Sequence, residues 1–388
     1  MHRFKTWWIA LTALTVFVAF CIGLSVLKRP VTFASLDVVD DSSQAGSSLQ
    51  ETQEMTLLAT GDIMYHSTQI LKTNGSYDFE DNFKYVSSYI QNADLAVANF
   101  ESTTTTAYPY SGYPQFNTPK EAVASIKNAG FDVVSTVNNH SLDTGKAGLL
   151  GTLQAFQEAG VSTVGTMSSR GDGIVWKEVN GITIAFLAYS YGFNGLLERL
   201  DEDERWMVNA LDEVKIEADI RLTKKQGADF TVVFAHWGQE YRTEPTIDQE
   251  ELAHKMVNWG ANVVLGSHPH VIERSEMIKV EDEQRYIIYS LGNFISDQRL
   301  ESVNDINTER GVMVELTLRK TGSVNTVSAV TLIPTWVYKY SCPGRYCYQV
   351  LPALAAAEGS LDLNLSESLL KRIRSAYTET VKRIKGTS

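Results

Sequence analysis

Phe230-Thr231-Val232-Val233-Phe234-Ala235-His236-Trp237-Gly238 is a strand-like run that stops on an imidazole. Its unbroken apolar and β-branched side chains suit a strand buried on both faces. A helix is predicted before it, over residues 211–226, and another after it, over residues 247–259. A second apolar run, residues 261–265, then stops on Gly266-Ser267-His268-Pro269-His270. Strands alternating with helices point to an α/β fold. In open α/β folds the loops at strand carboxyl ends converge on one crevice, so side chains far apart in sequence can share a site.

The same pattern recurs upstream. Residues 55–60 end in Gly61-Asp62, residues 94–98 in Asn99-Phe100-Glu101, and residues 131–137 in Asn138-Asn139-His140. A helix over 118–129 has Thr118 as N-cap, Pro119 in its first turn and Gly130 as its stop. Another spans 145–159 and closes on Gly160. Asn180-Gly181, between strand-like residues 176–179 and 182–189, is a hairpin signal. With late strands at 286–290, 312–318 and 327–333, the hairpin argues for a mixed sheet or two packed sheets.

Carboxylate, amide and imidazole are the donors divalent metals use in hydrolytic sites. Four of the seven histidines fall in these strand-ending segments. Taken singly, each residue has a plain alternative: Asp62 as a turn former, one of Asn138 and Asn139 as a helix cap, His236 as a satisfied core imidazole. His268 and His270 form the strongest pair. Two residues apart in an extended chain they face one side, and Pro269 biases His268 towards that state. Asp143 is expected to stabilise the loop before the 145–159 helix.

The ends of the chain read differently. Residues 7–27 are uncharged and mostly apolar, long enough as a helix to span about 30 Å, and are flanked by Arg3, Lys5, Lys28 and Arg29. They are expected to be an uncleaved transmembrane anchor behind a short N-terminal segment, residues 1–6, and two basic side chains on each flank leave its orientation open. Residues 28–54, polar from Ser35 onward, are expected to be a flexible stalk. Residues 55–340 form the domain and residues 341–388 a tail with a helix. The net charge of −12, without a Lys/Arg cluster, disfavours nucleic-acid binding. Cys342 and Cys347 flank a turn-like Pro343-Gly344-Arg345-Tyr346 and are either free thiols or a small disulfide loop suited to an extracytoplasmic location.

Six segments together resemble the bacterial capsule-synthesis CapA/PgsA family. They are Gly61-Asp62-Ile63-Met64, Asn99-Phe100-Glu101, Asn138 to Gly145, His236 to Tyr241, Gly266 to Val271 and Tyr289-Ser290-Leu291-Gly292-Asn293-Phe294, in that order over about residues 55 to 335. The family is linked to poly-γ-glutamate capsule production and is similar to calcineurin-like metallophosphoesterases. The resemblance implies a four-layer α/β/β/α sandwich and one or two divalent metals, manganese, zinc or iron. It implies Asp62 and His270 at a first metal, Asn139, His236 and His268 at a second, Glu101 between them, and His140 as the acid near a leaving group. Met64 stands where the phosphoesterase pattern has a His, and Glu101 where it has an Asp; His66 is a candidate substitute at the first metal. Glu240 would contact an amine or a metal, and Asn293 would line the crevice or cap a turn. The implied setting is a cell-membrane anchor with residues 1–6 cytoplasmic and the domain outside, beside membrane-embedded synthase or export subunits, acting on an anionic polymer or envelope substrate. The open functional alternatives are a capsule accessory protein, a phosphoester or amide hydrolase of the envelope, and a metal-free binding scaffold.

Overall fold

The computed structural model describes residues 31–32, 51–72 and 75–386. The anchor expected at residues 7–27 lies outside them. Among the described residues no helix is long and apolar enough to cross a membrane.

Two sheets carry the fold. The first begins with β1 (Val31–Thr32), β2 (Thr52–Ile63), β3 (Leu95–Phe100), β4 (Val133–Ser135) and β5 (Ser162–Val164). The second consists of β6 (Val175–Val179), β7 (Ile182–Ser190), β8 (Phe230–His236), β9 (Val263–Ser267), β10 (Ser275–Val280) and β11 (Glu283–Ile288). The chain then returns to the first sheet through β12 (Asn293–Ile295), β13 (Arg310–Thr321), β14 (Val324–Cys342) and β15 (Arg345–Pro352). Strand order is β1-β14-β13-β2-β3-β4-β5 in the first sheet and β10-β11-β9-β8-β7-β6 in the second. Strands β2 to β5 run parallel to one another, as do β7, β8, β9 and β11.

Alternation along the strands stacks the layers. Met55, Leu57 and Ala59 of β2 face Ile184 and Phe186 of β7, Val232 and Phe234 of β8, and Val263 and Leu265 of β9 in one core between the sheets. Leu58, Ala96, Ala98 and Val134 point the other way, onto helices Lys120–Ala129 and Gly145–Ala159. Leu187, Val233, Ala235 and Val264 pack under helices Glu213–Lys225 and Ile247–Trp259. The architecture is therefore α/β, with two sheets face to face and helices on both outer faces.

Local signals hold well. Asn180 (φ 53°) and Gly181 (φ 77°) make the tight turn between β6 and β7. Helix Ile247–Trp259 starts with a capping box between Thr246 and Gln249. At helix Lys120–Ala129, however, Pro119 and not Thr118 occupies the N-cap, while Gly130 ends it as expected. Strand pairing also reaches into the expected stalk, since Val31–Thr32 and residues 52–54 lie in β1 and β2. In the tail, β15 pairs with β14 and a disulfide joins Cys342 to Cys347 across their turn. The last helix, Glu367–Ile384, buries Ile373 and Ala376 against Trp336 and Leu351.

Candidate metal centre

The parallel strands of both sheets deliver their carboxyl ends to one crevice. The first sheet supplies Asp62 from β2, Glu101 just after β3 and Asn139 from the loop after β4; the second supplies His236 from β8 and His268 and His270 just after β9. All six are buried. Close backbone approach makes the convergence possible. A Cβ on Gly61 would stand 1.8 Å from the Gly292 carbonyl oxygen, and one on Gly266 1.8 Å from that of Tyr289.

His236 Nε2 lies 2.9 Å from Asn139 Oδ1 and 3.6 Å from Glu101 Oε1. His270 Nε2 is 3.8 Å from the same Glu101 oxygen, and its Nδ1 is 3.2 Å from Asp62 Oδ2. The His236 and His268 rings are 4.9 Å apart. Three sets of donor atoms lie within 4.8 Å of one another: Glu101 with His236 and His268, Asp62 with Glu101 and His270, and exposed Glu240 with His268 and His270. His236 thus stands beside both Asn139 and His268.

Surrounding groups orient these donors. Asn99 Nδ2 donates to Asp62 Oδ1 at 2.8 Å and lies 3.5 Å from Glu101 Oε2. His236 Nδ1 is 2.9 Å from the Ser267 hydroxyl, an arrangement that turns Nε2 towards Asn139 and Glu101. His140 Nδ1 is 2.7 Å from Asp143 Oδ2, and its ring packs edge-on to Phe116 at 4.7 Å. Asp143 also accepts the Phe116 N–H at 2.6 Å, so its carboxylate both steadies the loop and orients His140. Tyr191 places its half-exposed ring 4.5 Å from that of His268.

Electrostatics favour neutral imidazoles at His236 and His268. Burial lowers His236 well below its ordinary pKa, and His268, His270 and His140 push the same way. Burial, with His270 and His140, brings His268 to about 3. Burial, then Asp62, Glu240 and Asp143, raises Glu101 well above the usual carboxyl range. Glu101 Oε1 and His268 Nδ1 are buried with no hydrogen-bond partner. A donor-rich pocket with orphaned atoms and no cationic side chain among its six central groups fits a divalent cation, which would satisfy those atoms and offset the buried charge.

The extended conformation expected at the His-Pro-His segment is corrected. His268 has φ 99° and His270 φ 58°, so the strand ends at Ser267 and both histidines lie in the left-handed region. Each such position costs a non-glycine residue on the order of 1–3 kcal/mol, and strain of this kind clusters at functional sites. Pro269 biases His268 towards extended backbone, so the tertiary packing of the crevice overrides that local preference here.

The other expected residues are placed as follows. His66 belongs to none of the three donor groups; its Nδ1 accepts from the Asp297 N–H at 3.4 Å. Met64 is buried. Asn293 pairs with Asp62 between β12 and β2, but its amide donates to Gln298 Oε1 and the Thr308 carbonyl, both at 3.0 Å, in the protein interior. Sequence reading passed over Asn99, Ser267 and Tyr191 as individual site residues and saw only a loop role for Asp143. Asn99 was detectable as the strand neighbour two positions before Glu101, on the same face, and Tyr191 as the residue just after β7.

Residues 56–298 match the family model described as bacterial capsule synthesis protein PGA_cap. The chain belongs to this family. The chain is 33% identical over 285 residues to a capsule biosynthesis protein CapA from Bacillus anthracis, covering 71% of this chain and 66% of that one. It is 32% identical over 269 residues to a PGA biosynthesis protein CapA from Bacillus subtilis (strain 168), covering 68% and 67%. It thus spans about two thirds of the length of these relatives. Among solved structures, a calcineurin-like phosphoesterase from Bacillus subtilis aligns over 86% of this chain and 99% of that one, with 14% identity and a TM-score of 0.40.

Proposed function

We propose that the chain serves a poly-γ-glutamate type of capsule synthesis or export as a membrane-anchored, extracytoplasmic protein with a metal-dependent hydrolytic centre. The observation that carries the reading is the buried Glu101 Oε1, without a hydrogen-bond partner and 3.6–3.8 Å from the Nε2 atoms of His236 and His270. Asp62, Glu101 and His270 would hold one divalent cation, and Asn139, His236 and His268 a second beside the same Glu101 carboxylate. Bound there, divalent metal supplies a hydroxide-like nucleophile near neutral pH and clamps a phosphoryl group.

The chain's own groups perform the rest. Asp143 accepts from Nδ1–H of His140; in the doubly protonated ring that the acid role requires, Nε2–H would pass its proton to the departing oxygen and leave the neutral Nδ1–H imidazole. Ser267 and Asn99 keep the donor atoms of His236 and Asp62 aimed inward. The Cys342–Cys347 bridge supports an oxidising, extracytoplasmic location. The negative net charge disfavours holding an anionic polymer by protein charge alone, which gives the cation that task as well.

The test is elemental analysis of the full-length protein in detergent, with bis(p-nitrophenyl) phosphate hydrolysis measured alongside. At least one equivalent of manganese, zinc or iron, with hydrolysis lost in His236→Ala, is expected. Less than about a tenth of an equivalent after reconstitution would remove the metal reading.

A further inference from the structure

Tyr191, the first residue after β7, meets all three residues that would hold the second cation. Its backbone N–H donates to the His236 carbonyl at 2.9 Å, which ties it to the end of β8. Its half-exposed ring lies 4.5 Å from that of His268 and, nearly parallel, 6.3 Å from that of His236. Its hydroxyl hydrogen-bonds to the side chain of Asn139. Burial, with Glu240 and Glu101, raises the phenol above its usual pKa, while the Asn139 contact lowers it. That is the sign of an amide N–H donated to the phenol oxygen.

The Asn139 carboxamide needs such a partner. Its oxygen and nitrogen ends have nearly the same shape, so the hydrogen bonds around it decide which end faces inward. Oδ1 faces His236 Nε2 at 2.9 Å. Nδ2 points instead at the loop after β7, where it donates to Asn194 Oδ1 at 3.4 Å and to the Tyr191 hydroxyl. The Asn194 bond is long and its side chain is exposed, which makes it a weak restraint. Turned over, the amide would aim an NH₂ donor, with no lone pair for a metal, at the same place.

We propose that Tyr191 is a positioning residue of the second cation site, whose hydroxyl holds the Asn139 amide with Oδ1 turned towards the metal. This deepens the proposed function and rests on its metal centre. Tyr191 acts through Asn139 and needs no contact with substrate.

The test is zinc binding by the full-length protein in detergent, measured by chelator competition. The binding step weakened in Asn139→Ala marks the second site. Tyr191→Phe keeps the ring and the backbone bond and removes the hydroxyl alone. It should weaken that step about tenfold or more, leave the other within about twofold, and keep the wild-type melting temperature. In the Asn139→Ala background the same change should have less than about a twofold effect, since the group it orients is gone. Unchanged zinc affinity in Tyr191→Phe, an equal loss in both backgrounds, or an equal loss at both steps would each overturn the proposal. In metal-free protein labelled with ¹⁵N-asparagine, the side-chain amide resonances of Asn139, identified by their loss in Asn139→Ala, should shift in Tyr191→Phe. Unmoved resonances overturn it too. Wild-type protein that takes up no zinc sinks the proposed function instead, and the amide spectra still decide whether Tyr191 holds Asn139.

Discussion

His236 Nε2 and Asn139 Oδ1 stand 2.9 Å apart although 97 residues separate them in the chain. Two ligands each about 2.1 Å from a cation and at right angles are separated by about 3 Å, so this pair has the spacing of neighbouring corners in a coordination sphere. His236→Ala is expected to remove the tightly bound metal and abolish capsule formation in cells. Ser267→Ala, which deletes only the hydroxyl behind His236, should weaken metal affinity about 10- to 100-fold. Chelator competition with zinc measures both, and equal affinities for wild type and Ser267→Ala would contradict the orienting role.

Asp143 and His140 form a second pair, 2.7 Å apart and both buried. His140→Ala should lower phosphodiester kcat by about 100- to 10,000-fold while metal content stays unchanged. Asp143→Asn, which alters the hydrogen bond to Nδ1, should show part of that loss. Steady-state kinetics with parallel elemental analysis separates this effect from ligand loss, since a variant poor in metal would place His140 in the coordination sphere.

Glu273 is fully buried, accepts from Gln249 Nε2 at 2.8 Å through one oxygen and leaves the other unpartnered. Burial, partly opposed by Gln249, raises its pKa to about 8. Between the unfolded value near 4.5 and 8 the folded state holds a proton that the unfolded state has released. This group's contribution is therefore complete at low pH and is lost as pH rises, at about 1.4 kcal/mol per unit across that window. Glu273→Gln should raise stability relative to wild type, and the gain should grow from pH 5 to pH 8. Denaturant unfolding at both pH values checks the difference; a gain that shrinks with rising pH contradicts it.

Gly266 has no room for a side chain, because a Cβ would lie 1.8 Å from the Tyr289 carbonyl oxygen. Gly266→Ala must push the end of β9 away from residue 289 and should cost about 3 kcal/mol or more. A lower melting temperature and loss of metal binding are expected together, because His268 and His270 follow this contact directly. A variant that melts like wild type would show that the backbone yields without strain.

Several elements were legible because their signals are local. Helices Gly145–Ala159 and Ile247–Trp259 occupy the residues their stop and start signals mark, with Gly160 at φ 73° and the Thr246–Gln249 capping box. Strand ends were harder. The expected strand at 327–333 is the apolar centre of a 19-residue β14, whose polar flanks pair with β13 and β15 through backbone groups that side-chain pattern does not report. The left-handed backbone of His268 and His270 was also illegible, since nothing local to Ser267-His268-Pro269-His270 calls for positive φ.

Sequence by itself determined which chemistry is present: six donor side chains, each at or just beyond the end of an apolar run, in an order specific enough to indicate the family. Only tertiary structure decided that Asp62, Glu101 and Asn139 come from one sheet and His236, His268 and His270 from the other. That assignment depends on burying Leu57 and Ala59 against Phe186 and Val232, contacts between strands more than a hundred residues apart. Burial of apolar area carries no directional label in the local sequence, so the crevice between the sheets exists only once both faces have packed.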